Sequence, residues 1–278
     1  MARTHRVILV DNLNVIVFSK DRAAQLDLFL TTANQFWPTL KPTVLYTVSD
    51  PEFEQGYQQI RTLHPHATLV RETKQPGLRR GSDFKKQLVS LMDNSKQYTV
   101  CFVDDVVFIS KPNEEKIAQA LQRDDVICSS LRMQPGYDWC YTANEPMTPP
   151  QIDQDMTWDW TKATHDWGYP MTVDGHVYRT ADFLPYLKKC KYKNPNSLEA
   201  VMDQKRPNTP RIHCHPNAVI LNNPTNIVQN QHGNRHGTQT TKDINTQFLA
   251  GNRIDPNSSK SITRRGPHTE FPFKFIPA

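Results

Sequence analysis

The sequence has no run near the roughly 18 apolar residues a membrane-spanning helix needs. No apolar leader follows its opening Met1-Ala2-Arg3-Thr4-His5-Arg6. Those absences predict a soluble, cytoplasmic chain without a membrane span. No cysteine pair has CxxC spacing, and Cys101, Cys128, Cys140, Cys190 and Cys214 form an odd set, so buried free thiols are expected instead of a disulfide framework. Glycine is scarce, ten in 278 residues against 21 prolines. Hydrophobic residues make up 37%, and mean hydropathy is −0.65. That balance predicts a compact core with long ordered connections. There is no internal repeat and no convincing linker, so one domain over 1–278 is the simpler organisation.

A block of single-sign charge is also missing. The 33 Lys and Arg residues are scattered among 28 Asp and Glu, for a net charge of +5. No nucleic-acid partner is demanded, and a weakly positive cleft suits a small phosphate-bearing molecule equally well.

Two periodicities alternate through the first 131 residues. Residues 14–18 (NVIVF) and 43–48 (TVLYTV) are β-rich, and each is followed by a helical pattern. Leu26, Phe29, Leu30, Ala33 and Phe36 recur at helical spacing between Asp21 and Pro38. A short strand at 67–70, a helix at about 82–92, a strand at 99–103, a helix near 113–121 and a strand around 126–131 continue the rhythm. Such βαβ alternation predicts a Rossmann-like half with mostly parallel connections. Periodicity is then lost over 134–169, where Trp139, Trp158, Trp160 and Trp167 gather in a long aromatic insertion, read as an acceptor or lid region. Order resumes with 171–179, helices near 181–189 and 197–202, and a strand around 218–221, ahead of a polar, loop-rich tail.

Three segments carry candidate chemistry. The first is the strand 99–103, which delivers Asp104 and Asp105 to a strand end, where open α/β sheets bind ligands. Carboxylates there suit a hard divalent cation bridging diphosphate oxygens, or else form an acidic turn between strands. The second, Phe18-Ser19-Lys20-Asp21-Arg22, ends the first strong strand and opens a helix, as a nucleotide cradle or a plain capped turn would. Asp50, after the second strand, carries the same two readings. In the third, Pro76 to Asp83, Arg79 and Arg80 share a turn, with Asp83 and Lys86 at the start of the next helix. They could grip a diphosphate or simply face solvent.

SKDR after the first strand, the basic turn, and FVDD before VVF resemble the nucleotide-sugar half of GT-A-fold glycosyltransferases. Ser130-Leu131-Arg132, residues 166–179 (DWGYPMTVDGHVYR) and 194–199 (NPNSLE) are similar to a family-2-like group of bacterial and viral glycosyltransferases. The likeness extends over nearly the whole chain. It implies an α/β fold of GT-A type, with a Rossmann-like, mixed, mostly parallel sheet flanked by helices. In this reading 1–131 binds a nucleotide-sugar donor and 132–278 a glycan or other hydroxyl acceptor; a viral member would work in the host cytoplasm.

The carboxylate pair corresponds to the family's DxD-type motif. The resemblance therefore implies Mn²⁺ or Mg²⁺ on Asp105 and Asp104, with His268 as a third ligand near the C-terminus. The adjacent spacing departs from that motif and leaves open which acid meets metal and which meets ribose. Glu199 fits the order of an inverting enzyme's catalytic base, or is a first-turn helix acid favoured by the dipole. Asp174 is the alternative base, and His176 beside it an acceptor contact. Trp158, Trp160 and Trp167 either stack on an acceptor sugar or bury a satellite core. Two rival classes are a metal-dependent nucleotidyl or phosphoryl transferase, which also places carboxylates at strand ends, and a non-catalytic carbohydrate-binding protein on the same scaffold.

Overall fold

The computed structural model describes residues 9–73, 83–228, 235–260 and 262–278. Strand β1 (Leu13–Lys20) leads to helix α1 (Ala23–Phe36), β2 (Thr43–Thr47), α2 (Pro51–Leu63), β3 (Thr68–Arg71), α3 (Phe84–Leu91) and β4 (Tyr98–Val103). Asp104 and Asp105 form the turn from β4 into β5 (Val106–Phe108), which is followed by α4 (Glu114–Leu121) and β6 (Val126–Ser130). The second half holds β7 (Trp139–Cys140), β8 (Glu145–Pro146), β9 (Thr157–Asp159), β10 (His176–Arg179), α5 (Thr180–Lys189) and α6 (Pro195–Gln204). Last come β11 (Arg211–Cys214), β12 (Ile220–Asn222), α7 (Thr241–Leu249), β13 (Asn252–Ile254) and β14 (Phe275–Pro277).

Eight strands form one sheet in the order β3-β2-β1-β4-β10-β6-β11-β9. The first four pair in parallel. β10 runs antiparallel to both β4 and β6, β11 lies parallel to β6, and β9 closes the sheet antiparallel. The expected class, a mixed, mostly parallel sheet flanked by helices, is what the chain adopts.

β1 is buried along almost its whole length because it is central and covered on both faces. Its alternation separates two cores. Val15 and Val17 join Phe29, Leu30, Val44 and Phe102 on one side, while Ile16 and Phe18 join Phe84, Cys101, Trp158 and Trp167 on the other. α1 stops at Phe36, with Trp37 as its C-cap, because the following Pro38 disfavours helical geometry before it.

The second half departs from expectation in three places. The strand near 218–221 does not extend the main sheet; β12 pairs antiparallel with β5 in a small sheet of its own. β11 enters the main sheet instead, although its charged and polar residues, RIHC, hid it from a hydrophobic pattern. The tail is more ordered than its polarity suggested, with α7 packed on α1 and α2, and β13 paired with β14. All five cysteines are buried and free. Among the described residues no helix is long and apolar enough to cross a membrane.

Candidate functional site

A cavity of about 870 Å³ opens at the carboxyl ends of β1, β4 and β6. Of the sequence candidates it gathers Ser19, Lys20, Arg22, Asp104, Asp105, Asp174, Glu199 and His268 along one wall system. The two acids of the β4–β5 turn are therefore both an acidic turn and a cavity wall.

Asp104 is held from every side. Its Oδ2 accepts from Ser19 Oγ at 2.8 Å and from the Lys20 amide at 3.0 Å, and its Oδ1 from Arg22 Nη1 at 3.0 Å. Asp105 accepts from the same Nη1 at 3.3 Å and from Asn222 Nδ2 at 3.2 Å. Asn222 is brought there by the β5–β12 pairing. Burial lifts the Asp105 carboxyl above the ordinary carboxylate range; Arg22 opposes that shift, while Asp104 and Asp174 add to it. Burial also works against the charge of Arg22, but Asp104 and Asp105 outweigh it and hold the guanidinium protonated. Arg22 is further tied to Asn226, through Nε to Oδ1 at 2.8 Å and through Nη2 to the backbone oxygen.

A second arginine organises the β6 end. Arg132, just beyond β6, donates from Nη1 to Asp174 Oδ2 at 3.1 Å and from Nη2 to Asp166 Oδ1 at 2.5 Å. Asp174 is presented by Gly175, whose φ of +72° favours glycine; a Cβ there would meet Ile220 Cδ1 at 2.1 Å. His268 Nδ1 lies 3.7 Å from Asp166 Oδ1. It reaches the cavity because residues 267–269 bond to Asn222 through Asn222 N to Pro267 O and Thr269 N to Asn222 O. Asp166 Oδ2, Asp174 Oδ1, Arg132 Nε and His268 Nδ1 are buried with no hydrogen-bond partner among the described residues.

Glu199 projects from α6, whose start is set by a capping box of Asn194 and Ser197, with Pro195 in the first turn. Its Oε1 accepts from Thr172 Oγ1 and, at 3.2 Å, from the Val173 amide. Burial raises this carboxyl above its usual range, partly offset by Thr172 and Arg132. It lines the cavity as a carboxylate with a heightened affinity for a proton.

Other candidates sit elsewhere. Asp21, at φ +56°, turns its side chain to accept from the Ser49 amide at 2.7 Å, joining the ends of β1 and β2. Asp50 is the N-cap of α2, accepting from the Glu52 amide. Asp83 accepts from Thr73 Oγ1 at 3.2 Å, and Lys86 is exposed on α3; neither lines the cavity. Arg79 and Arg80 lie outside the described residues.

Trp158, Trp160 and Trp167 do not reach the cavity. Trp158 and Trp167 pack edge to face at 4.9 Å, and each indole N–H is satisfied inside the protein, by Trp167 O, Thr209 O and Tyr137 O respectively. Of the two readings of the insertion, they occupy the satellite core. His176 is likewise buried, beside Cys128 Sγ and Pro170 O, and burial pushes its pKa down to about 3, so it is neutral.

The sequence singled out neither Arg132 nor Asp166 for a role, although both stand in the motifs quoted above. A charged residue directly after the apolar run 126–131 was the available signal for Arg132. Asn222 and Asn226 had a weaker one, an Asn-rich stretch after an apolar strand.

The residue chemistry fits a hard divalent cation. Magnesium-type ions take one or two carboxylates and complete their shell with substrate phosphates and water. Asp105, Asp166 and Asp174 line one cavity, and Asp166 and Asp174 each keep one buried oxygen without a partner among the described residues. Among the described residues no three His, Cys, Asp or Glu side chains converge as a protein-only metal cage.

No family model matches the chain. Among curated proteins it is similar to the bifunctional glycosyltransferase pgtA of Dictyostelium discoideum, 24% identical over 199 residues. That match covers 62% of this chain and 24% of the relative, so the chain spans about a quarter of the relative's length. Among solved structures it is similar to mannosyltransferase PcManGT from Pyrobaculum calidifontis in complex with GDP-Man and Mn²⁺, at 14% identity over 75% of this chain and 56% of that one, with a TM-score of 0.40. It is also similar to 4-diphosphocytidyl-2C-methyl-D-erythritol synthase from Anaerococcus prevotii, at 11% identity over 74% and 89% of the two chains, with a TM-score of 0.38.

Proposed function

We propose that this chain is a metal-dependent glycosyltransferase of GT-A type, a single catalytic unit that moves a sugar from a nucleoside-diphosphate donor to a hydroxyl acceptor. The carrying observation is the shared cavity: Asp105, Asp174, Glu199 and His268, distant in sequence, line one space at the strand ends. The similarity to a bifunctional glycosyltransferase supports the same reading. The family-2-like grouping stays part of the proposal.

In this reading the donor lies over the ends of β1 and β4, with Ser19, Lys20 and Arg22 toward its nucleotide. Asp104 keeps those residues in place, since its oxygens already take donors from all three. Asp105 would hold Mn²⁺ or Mg²⁺, with His268, which lines the same cavity, as a further candidate ligand. When bound, the cation neutralises charge on the leaving diphosphate. Glu199 removes the proton from the acceptor hydroxyl, and its raised pKa makes it a stronger base than an ordinary glutamate. Thr172 and the Val173 amide aim its carboxylate from one oxygen, leaving Oε2 for the acceptor.

The test is incubation of the full chain with a panel of sugar nucleotides and Mn²⁺. Release of a nucleoside diphosphate that EDTA abolishes is the expected result. Pyrophosphate release from a nucleoside triphosphate, with no diphosphate from any sugar nucleotide, would replace this reading with a nucleotidyltransferase.

A further inference from the structure

The main cavity has a side pocket of about 310 Å³, walled by Trp139, Thr269 and Glu270. Tyr141, Arg235 and His268 line both spaces, so the pocket continues from the end of the cavity where His268 meets Asp166. We propose that this side pocket binds the second ring of an uncharged acceptor glycan, next to the ring whose hydroxyl is glycosylated. The inference rests on the glycosyltransferase reading and deepens it.

Its wall chemistry suits a sugar. The half-buried Trp139 indole borders the pocket with Arg265 over one of its faces, which leaves the other for pyranose C–H groups, and Glu270 and Thr269 supply polar groups for hydroxyls. Tyr141 Oη already donates to Glu270 Oε2 at 2.7 Å, which fixes that carboxylate at the junction of the two spaces.

Arg265, the cation over Trp139, is already paired with a carboxylate, which argues for a neutral ligand over a phosphate. Arg265 makes a paired contact with Asp138, at 2.9 and 3.0 Å, and stacks on Trp139 at 5.0 Å. Arg235 stacks on Tyr141 at 4.6 Å and donates to Asn144 Oδ1.

The platform is also preformed. The amides of Asp138 and Trp139 donate to Arg265 O at 2.9 and 3.0 Å. Gly266 permits this approach, since a Cβ there would stand 2.2 Å from Trp139 O. A surface fixed before binding loses little conformational freedom when a ring settles on it. Trp158, Trp160 and Trp167 have no comparable opening: all three are in the core, with their N–H groups occupied.

Saturation-transfer NMR on the full chain tests the pocket without requiring turnover. The probes are methyl glycosides of common hexoses and the disaccharides that carry the same ring at one end. At least one disaccharide is expected to bind about tenfold more tightly than its one-ring glycoside. Trp139→Ala should erase that difference, Trp139→Phe should keep most of it, and Glu270→Gln, which preserves side-chain shape, should reduce it. Equal affinity for one- and two-ring probes in the wild type overturns the pocket, as does a difference that survives both Trp139→Ala and Glu270→Gln. A chain that releases nucleoside diphosphate but binds both probes equally sinks the pocket and leaves the transferase reading standing. A chain that prefers two rings but releases none from any donor does the reverse.

Discussion

At the β1 end of the cavity Arg22 bridges Asp104 and Asp105; at the β6 end Arg132 bridges Asp166 and Asp174. Both guanidinium groups are buried and both face two carboxylates, but the ends are completed differently. All four carboxylate oxygens around Arg22 accept a hydrogen bond from the protein. Around Arg132, one oxygen of each aspartate has no partner among the described residues, nor does Arg132 Nε. Buried polar groups are normally satisfied because leaving one unpaired costs free energy. The carboxylates at the Arg22 end are thus fully bonded within the protein, whereas those at the Arg132 end each retain a buried, unpartnered oxygen.

Substitutions can break or sharpen that contrast. The largest effect is expected at Glu199, which Thr172 and Val173 connect to the Asp174 end. Glu199→Gln should lower kcat by about 10²–10⁴-fold while donor affinity, read by calorimetry, is retained. Because burial raises the Glu199 pKa, wild-type turnover should fall as pH drops toward and through that raised value, at a pH above the ordinary glutamate range. Equal turnover in Glu199→Gln and wild type would remove the base from this end.

Next is the Arg22 end itself. Arg22→Met leaves the buried Asp104 and the half-buried Asp105 without their shared cation and should cost about 3–5 kcal/mol in urea unfolding. Mn²⁺ should restore part of the loss by returning positive charge to Asp105. No destabilisation would mean that the pair is not held by Arg22.

A matched pair of neutralisations then compares the ends directly. Asp104→Asn disturbs bonds to Ser19, Lys20 and Arg22 and should cost about 1.5–3 kcal/mol, whereas Asp174→Asn disturbs one bond and should cost roughly half that. Activity should follow the opposite order, with Asp174→Asn losing more turnover per unit of stability lost. If Asp174→Asn proves the more destabilising, the difference between a finished and an open end fails.

The smallest effect is expected at Asp50, away from both ends. Asp50→Ala removes the cap of α2 and should cost about 1 kcal/mol, read as a lower Tm, with donor turnover retained.

Much of the Arg22 end was legible because its signals are local. The strand ending in Asp104 and Asp105, the turn carrying Ser19 and Arg22, and the amphipathic α1 are each written within a few consecutive residues. The cap role of Asp50 was among the open readings, but the bond from the Ser49 amide to Asp21 was not, since a side chain's choice between backbone and ligand depends on where the strand end points. The aromatic insertion was less transparent, since composition places indoles near one another without saying which face they turn.

By itself the sequence determined the alternation of strand and helix, the buried thiols, and the delivery of an acidic pair to a strand end, because these follow from periodicity and residue chemistry. Only the tertiary structure decided that Arg132, Asp166, Asp174 and His268 meet, and that Trp139 rather than Trp158, Trp160 or Trp167 borders open space. The reason is range. His268 is placed by the β5–β12 pairing and the contact of Asn222 with residues 267–269, and Asp166 by Arg132, bonds that join segments far apart in the chain and leave no mark in any local pattern.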